Sequence, residues 1–137
     1  MAWQTQYVQW GNDGTALATS ASVTADGVVG SAVDLGRGRY DMQVTVTSMT
    51  TGDGFDSAVI IFQANKASAT TTWTEIGNVV LGDATGRGAA LTNLTNAIVP
   101  VKNEDDYQVR AYCYINGSTT ALSGVTIKAY PLARKDI

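Results

Sequence analysis

Twelve acidic and nine basic side chains, one cysteine and no histidine make up the reactive repertoire of this 137-residue chain. Histidine is the commonest general base and the commonest metal ligand, so without it no serine has its usual activator and zinc lacks its usual donor. Glycoside hydrolysis needs two carboxylates flanking one bond, and nothing in the order of Glu75 and Glu104 places them so. Thr51-Gly52-Asp53-Gly54-Phe55-Asp56 opens like a calcium loop but lacks regularly spaced oxygen ligands and a closing bidentate glutamate, and reads as a hairpin loop. Glu104-Asp105-Asp106 reads as a solvated turn. Gly36-Arg37-Gly38-Arg39 and Gly86-Arg87-Gly88 resemble each other, yet neither opens a helix nor carries the lysine of a phosphate loop. They read as turns with exposed cations, whose guanidinium forks suit carboxylates on a partner. The expectation is a binding protein with no catalytic residue, metal or cofactor.

A length of 137 residues fits one domain with one core, and 45% hydrophobic with 15% charged residues allows folding without metal or disulfide staples. A lone Cys113 excludes an intrachain disulfide framework. The formal charge of -3 argues against a nucleic-acid partner held by a basic face. Apolar runs such as Ala58 to Phe62 are far short of the ~18 residues of a membrane span, and the first residues have no basic or apolar signal region. Neither membrane nor export is expected, and synthesis in a cytosol is the default reading. Asn93-Leu94-Thr95 and Asn116-Gly117-Ser118 then read as loop or turn features rather than glycosylation acceptors.

The elements that must carry these residues are strands. Helix-favouring glutamate and lysine are scarce, whereas threonine and valine are abundant. From Tyr40 to Ser48 the residues Tyr40, Met42, Val44 and Val46 share one face and Asp41, Gln43, Thr45 and Thr47 the other. Ser57 to Ala64 is apolar on both faces and is expected to be covered on both. Tyr107 to Ile115 turns Tyr107, Val109, Ala111, Cys113 and Ile115 inward and Gln108, Arg110, Tyr112 and Tyr114 outward, which makes Cys113 a small core residue. With the run Val125 to Ala129 across Asn116-Gly117 it reads as a C-terminal hairpin. Weaker candidates are Ser31 to Leu35, Trp73 to Leu81, Ala89 to Leu94 and Ala97 to Val101. About eight short antiparallel strands predict an all-β, two-sheet sandwich.

The first ten residues contain Trp3, Tyr7 and Trp10 but no charge, and Gly11-Asn12-Asp13-Gly14 follows as a turn or linker. Residues 1–14 read as an aromatic arm or a first strand, and 15–137 as the sandwich. The aromatics suit packing on the chain's own sheet, anchoring in a neighbouring subunit, or stacking on sugar rings.

The order of segments resembles that of small tailed-phage capsid cement (decoration) proteins with a jelly-roll fold, of the Bordetella-phage type. The likeness runs roughly from Thr15 to Leu132 and is carried by Ser31-Ala32-Val33-Asp34-Leu35-Gly36, by Tyr40-Asp41-Met42-Gln43-Val44-Thr45-Val46, by Ala58-Val59-Ile60-Ile61-Phe62-Gln63 and by the stretch from Tyr107 to Tyr130. It implies a jelly-roll-like sandwich on the outer surface of a phage head, bridging major capsid subunits, and self-associated as a dimer or trimer. The contact residues expected are Trp3, Tyr7, Trp10, Arg37, Arg39, Asp53, Phe55 and Arg87. The alternative is a carbohydrate-binding or receptor-binding β-sandwich module of a phage tail tip or fibre.

Overall fold

Alternating burial along Tyr40, Met42, Val44 and Val46 is what turns residues 38–46 into a strand with one face against a core. The computed structural model describes residues 5–9, 14–50, 57–82, 94–105, 107–116 and 120–136, with side chains left out at the margins of several strands. These residues form ten strands and no helix: β1 (Thr5–Gln9), β2 (Thr15–Val23), β3 (Gly27–Asp34), β4 (Gly38–Val46), β5 (Ser48–Thr50), β6 (Ser57–Lys66), β7 (Ala69–Gly82), β8 (Leu94–Asn103), β9 (Gln108–Asn116) and β10 (Ala121–Asp136).

Two antiparallel sheets result. One has the order β1-β10-β4-β8, with β2 and β5 also paired to β10, and the other the order β3-β9-β6-β7. The pairing is nested: β2 with β10, β3 with β9, β4 with β8 and β6 with β7. A long hairpin rolled onto itself gives this connectivity, which is that of a jelly roll. The two inner faces bury Phe62, Ile60, Val109 and Cys113 from one sheet against Met42, Val44, Val125 and Ile127 from the other. Each large apolar side chain so buried contributes roughly 1.5–3 kcal/mol. Gly77 sits where β7 approaches β8, and a Cβ there would lie 2.8 Å from Val101 Cγ1.

The stretch from Tyr107 to Tyr130 is not a hairpin. β9 and β10 lie in different sheets, because both edges of β9 are taken by β3 and β6 and both edges of β10 by strands of the other sheet. Turn chemistry at Asn116-Gly117 favours a reversal but does not choose the partner, and burying both apolar inner faces does. The same holds for the expected hairpin loop at Thr51 to Asp56: β5 pairs with β10 while β6 pairs with β7 and β9. The expected strand over Ala89 to Leu94 falls on residues outside the description except for Leu94, the first residue of β8. β2 had no clear alternation in TALATSASV, and its pairing with β10 is broken by several register shifts.

At the end of the sandwich where β4 begins, β10 continues to Asp136, past Leu132, its last partner on β4. β1 pairs along this extension, from Gln9 opposite Leu132 to Thr5 opposite Asp136. The two strands make a ribbon standing beyond the first residues of β4. Among the described residues β10 pairs with β2 up to Ala129 and with β1 from Leu132 onward, and Pro131, with no N–H to donate, lies between the two.

Candidate functional site

The expected contact residues separate by position. Arg37 and Arg39 lie at the pole from which the ribbon extends, and both are exposed. The ends of β5, β6, β7 and β8 that flank 51–56 and 83–93 lie at the opposite pole, as the pairing of Ser57 with Asn116, Ala58 with Gly82 and Val46 with Leu94 shows. Asp53, Phe55 and Arg87 themselves fall outside the described residues, as do Trp3 and Trp10. Tyr7 is in β1, opposite Arg134.

The ribbon pole is charged and locally braced. Gly36 has φ +74°, a conformation glycine adopts without strain, and it reverses the chain ahead of Arg37. Its carbonyl accepts hydrogen bonds from the Tyr40 hydroxyl at 3.1 Å and from Asn103 Nδ2 at 2.8 Å. The Tyr40 hydroxyl also donates to the Leu35 carbonyl. Burial, and then the charge of Asp34, push the Tyr40 phenol above its usual pKa. Asn103, fully buried, accepts from the Asp105 N–H at 3.1 Å and so fixes the next turn as well. Around this frame Lys102 pairs with Glu104 at 3.0 Å and Lys66 with Asp105 at 3.9 Å. The hydrogen bond from Lys102 and its positive charge hold the Glu104 carboxyl below its ordinary pKa, with Arg37 and Arg39 adding to the effect. An open cleft of about 570 Å³ beside this pole is lined by Lys66, Thr72, Glu75, Lys102 and Asp105. Among the described residues no three His, Cys, Asp or Glu side chains come together as a metal site.

The second surface is the outward face of the β3-β9-β6-β7 sheet. Expected to be covered, β6 instead shows this face to no other described layer: Val59 is half-buried, and Ile61 is shielded at the level of the sheet, between Tyr112 and Asn78 in the register. Val28 is 43%, Tyr114 48% and Val80 54% exposed. Tyr112 and Tyr114 have ring centroids 4.9 Å apart, tilted by 48°. The Arg110 guanidinium lies 4.0 Å from the centroid of Trp73 and 5.6 Å from that of Tyr112, and Arg110 Nε donates to Gln63 Oε1 at 2.8 Å. A cation so sandwiched keeps its orientation while its Nη groups stay available. Sequence reasoning turned Arg110, Tyr112 and Tyr114 outward but missed Trp73. The available signal was that Trp73 and Glu75 share a face by strand alternation, which becomes informative only once β7 is placed beside β6.

Cys113 belongs to neither surface. It is fully buried, and desolvation, with a smaller effect of Asp26, pushes its thiol up to about 11. No known protein-family model matches the chain, and no significant match was found among curated proteins or solved structures.

Proposed function

We propose that this chain is a structural binding protein of the capsid cement class, which attaches to the outside of a phage head and bridges neighbouring major capsid subunits. The observation that supports this reading best is the β1–β10 ribbon, a two-stranded arm carried by a jelly roll whose adjoining turns are braced by Tyr40 and Asn103. Bridging needs a rigid body, an element that reaches beyond it and polar turns that fit a neighbour, and many modest contacts add up when one molecule touches two subunits. A species that binds only the assembled shell stabilises it by mass action, without chemistry.

The test is co-sedimentation with expanded heads of the cognate phage. Saturation at a copy number close to that of the major capsid protein is the expected result, and binding at only a handful of sites per particle overturns the cement reading. A second reading, a sugar-binding or receptor-binding module, draws on the Trp73, Tyr112 and Tyr114 rings of the exposed sheet face. Glycan-array binding lost on Tyr114→Ala would favour it.

A further inference from the structure

Arg110 stands on the outward face of the β3-β9-β6-β7 sheet as a half-buried cation. Its guanidinium crosses β6 to lie over Trp73, 4.0 Å from the ring centroid, and Tyr112 flanks it at 5.6 Å. Nε donates to Gln63 Oε1 at 2.8 Å, and among the described residues no carboxylate pairs with the charge. Rings beside a guanidinium keep water from its faces but not from its edge. The Nη–H groups are therefore oriented, poorly hydrated and matched to the two oxygens of an oxyanion. The row continues from Tyr112 to Tyr114, with ring centroids 4.9 Å apart, and Tyr114 ends it with 48% of its surface exposed. From Arg110 to Tyr114 the strand runs about 13 Å, the reach of a short linear ligand.

We propose that this row is a binding site for an acidic oligosaccharide, with one sugar carboxylate held by Arg110 and a neighbouring neutral pyranose stacked on Tyr114. The inference rests on the sugar-binding reading of this face and deepens it, by assigning the charge of the ligand and the residue that selects it. Three features choose this occupant. A carboxylate is planar and takes the guanidinium fork with both oxygens. Glu75 lies in the row of Arg110 and Gln63, and Asp34 on β3 is opposite Gln108 one row away, so a ligand dense in sulfate or phosphate meets like charges. Both edges of β9 and of β6 are already paired, so a peptide lying across them finds no strand edge for its backbone N–H and C=O groups. Sugar hydroxyls meet instead the side-chain amides of Gln63 and Asn78, which border Ile61.

The row is on the side of the sandwich, whereas the ribbon and the braced turns are at its end, so attachment through that end leaves the row open. Single contacts to an open face are weak, and many copies on one particle add up to firm attachment.

NMR titration of the full chain with sialyllactose and with cellobiouronic acid, each against its neutral parent lactose or cellobiose, tests the assignment. Saturable shifts of the Arg110, Tyr112 and Tyr114 amides and of the Trp73 indole are expected with an acidic sugar. The neutral parent should bind about tenfold more weakly, the loss of one charge-assisted hydrogen bond. Arg110→Lys keeps the charge but loses the stacked fork, and should weaken the acidic sugar about tenfold while leaving the neutral one unchanged. Tyr114→Ala should weaken both, and the amide spectrum away from the row reports that each variant is folded. No shift with either acid overturns the proposal. So do equal binding of the neutral parent, tighter binding of a heparin-derived oligosaccharide, or an acetylated aspartyl peptide that binds as well as the sugar. A neutral sugar bound as tightly as the acid, and lost on Tyr114→Ala, leaves the sugar-binding reading standing while this inference fails. Arg110→Lys should co-sediment with capsids as the parent does, so the cement reading is judged separately.

Discussion

Asn103 donates from Nδ2 to the carbonyl oxygen of Gly36 at 2.8 Å, joining the last residue of β8 to the turn ahead of β4. The same side chain accepts from Asp105 N–H, so one fully buried amide holds two turns of the charged pole. Asn103→Leu leaves the Asp105 N–H without its acceptor and the Gly36 carbonyl with the Tyr40 hydroxyl only. The expected loss is about 2 kcal/mol, the cost of stranding buried polar groups, read from urea denaturation. Tyr40→Phe should lose about 1 kcal/mol, and the double variant less than the sum, because both side chains act on Gly36.

Gly30→Ala should be far more damaging. Gly30 has φ +77°, and a Cβ built there lies 1.9 Å from the Leu17 carbonyl oxygen and 2.8 Å from Ala18 Cα. Those are backbone atoms of β2, so no side chain can move aside. A loss of ~3 kcal/mol or more, or failure to fold, is expected by thermal melting. Gly27→Ala, with nothing within 4 Å, is the control and should change stability little.

Cys113 should resist a thiol reagent at pH 8 in the native state and react on unfolding. Burial holds its folded-state pKa at about 11, above the ordinary thiol value of 9.0. The native state therefore keeps a proton that the unfolded state releases, so stability is full below about pH 9 and falls as pH rises toward 11. Tyr40, also raised, acts in the same direction at higher pH. Urea midpoints at pH 8 and pH 10.5 should differ less in Cys113→Ala than in the parent. Cys113→Asp should unfold the domain, because it forces an unpaired charge among Gly27, Ile60 and the apolar core.

Deleting residues 1–10 removes β1 but none of the buried side chains of the described core, which runs from Leu17 to Ala129. The expected product is a folded sandwich with native circular dichroism and capsid binding weakened tenfold or more. The bare edge of β10 from Leu132 to Asp136 makes it more prone to aggregate. Normal capsid binding by the folded truncation would move the contact from the ribbon to the turns.

Much of the architecture was legible in local pattern. The inward sets of β4 and β9 follow from strict alternation, since a strand half-buried in a sandwich has no other way to separate its apolar side chains from water, whereas β6, apolar on both faces, left its inward side open. The burial of Cys113 follows from the same count. β2 was illegible because its alanines and threonines carry little periodic contrast, and its bulged register with β10 blurs the period further. Among the candidate contact residues, Arg37 and Arg39 were found from glycine turns, while the stack of Arg110 on Trp73 was not, because the two are far apart in the chain and meet only across β6.

The chain's own sequence determined that it is all-β, that one face of each principal strand is apolar, that its single thiol is interior and that its turns carry cations. Partner choice was decided by the tertiary structure: which strand lies beside which, that β9 and β10 part into opposite sheets, and that Thr5–Gln9 lies along the end of β10. Alternation specifies which side of a strand is buried but is blind to which edge it pairs with. Every strand edge offers the same backbone donors and acceptors, so only the joint burial of both inner faces selects among the possible pairings.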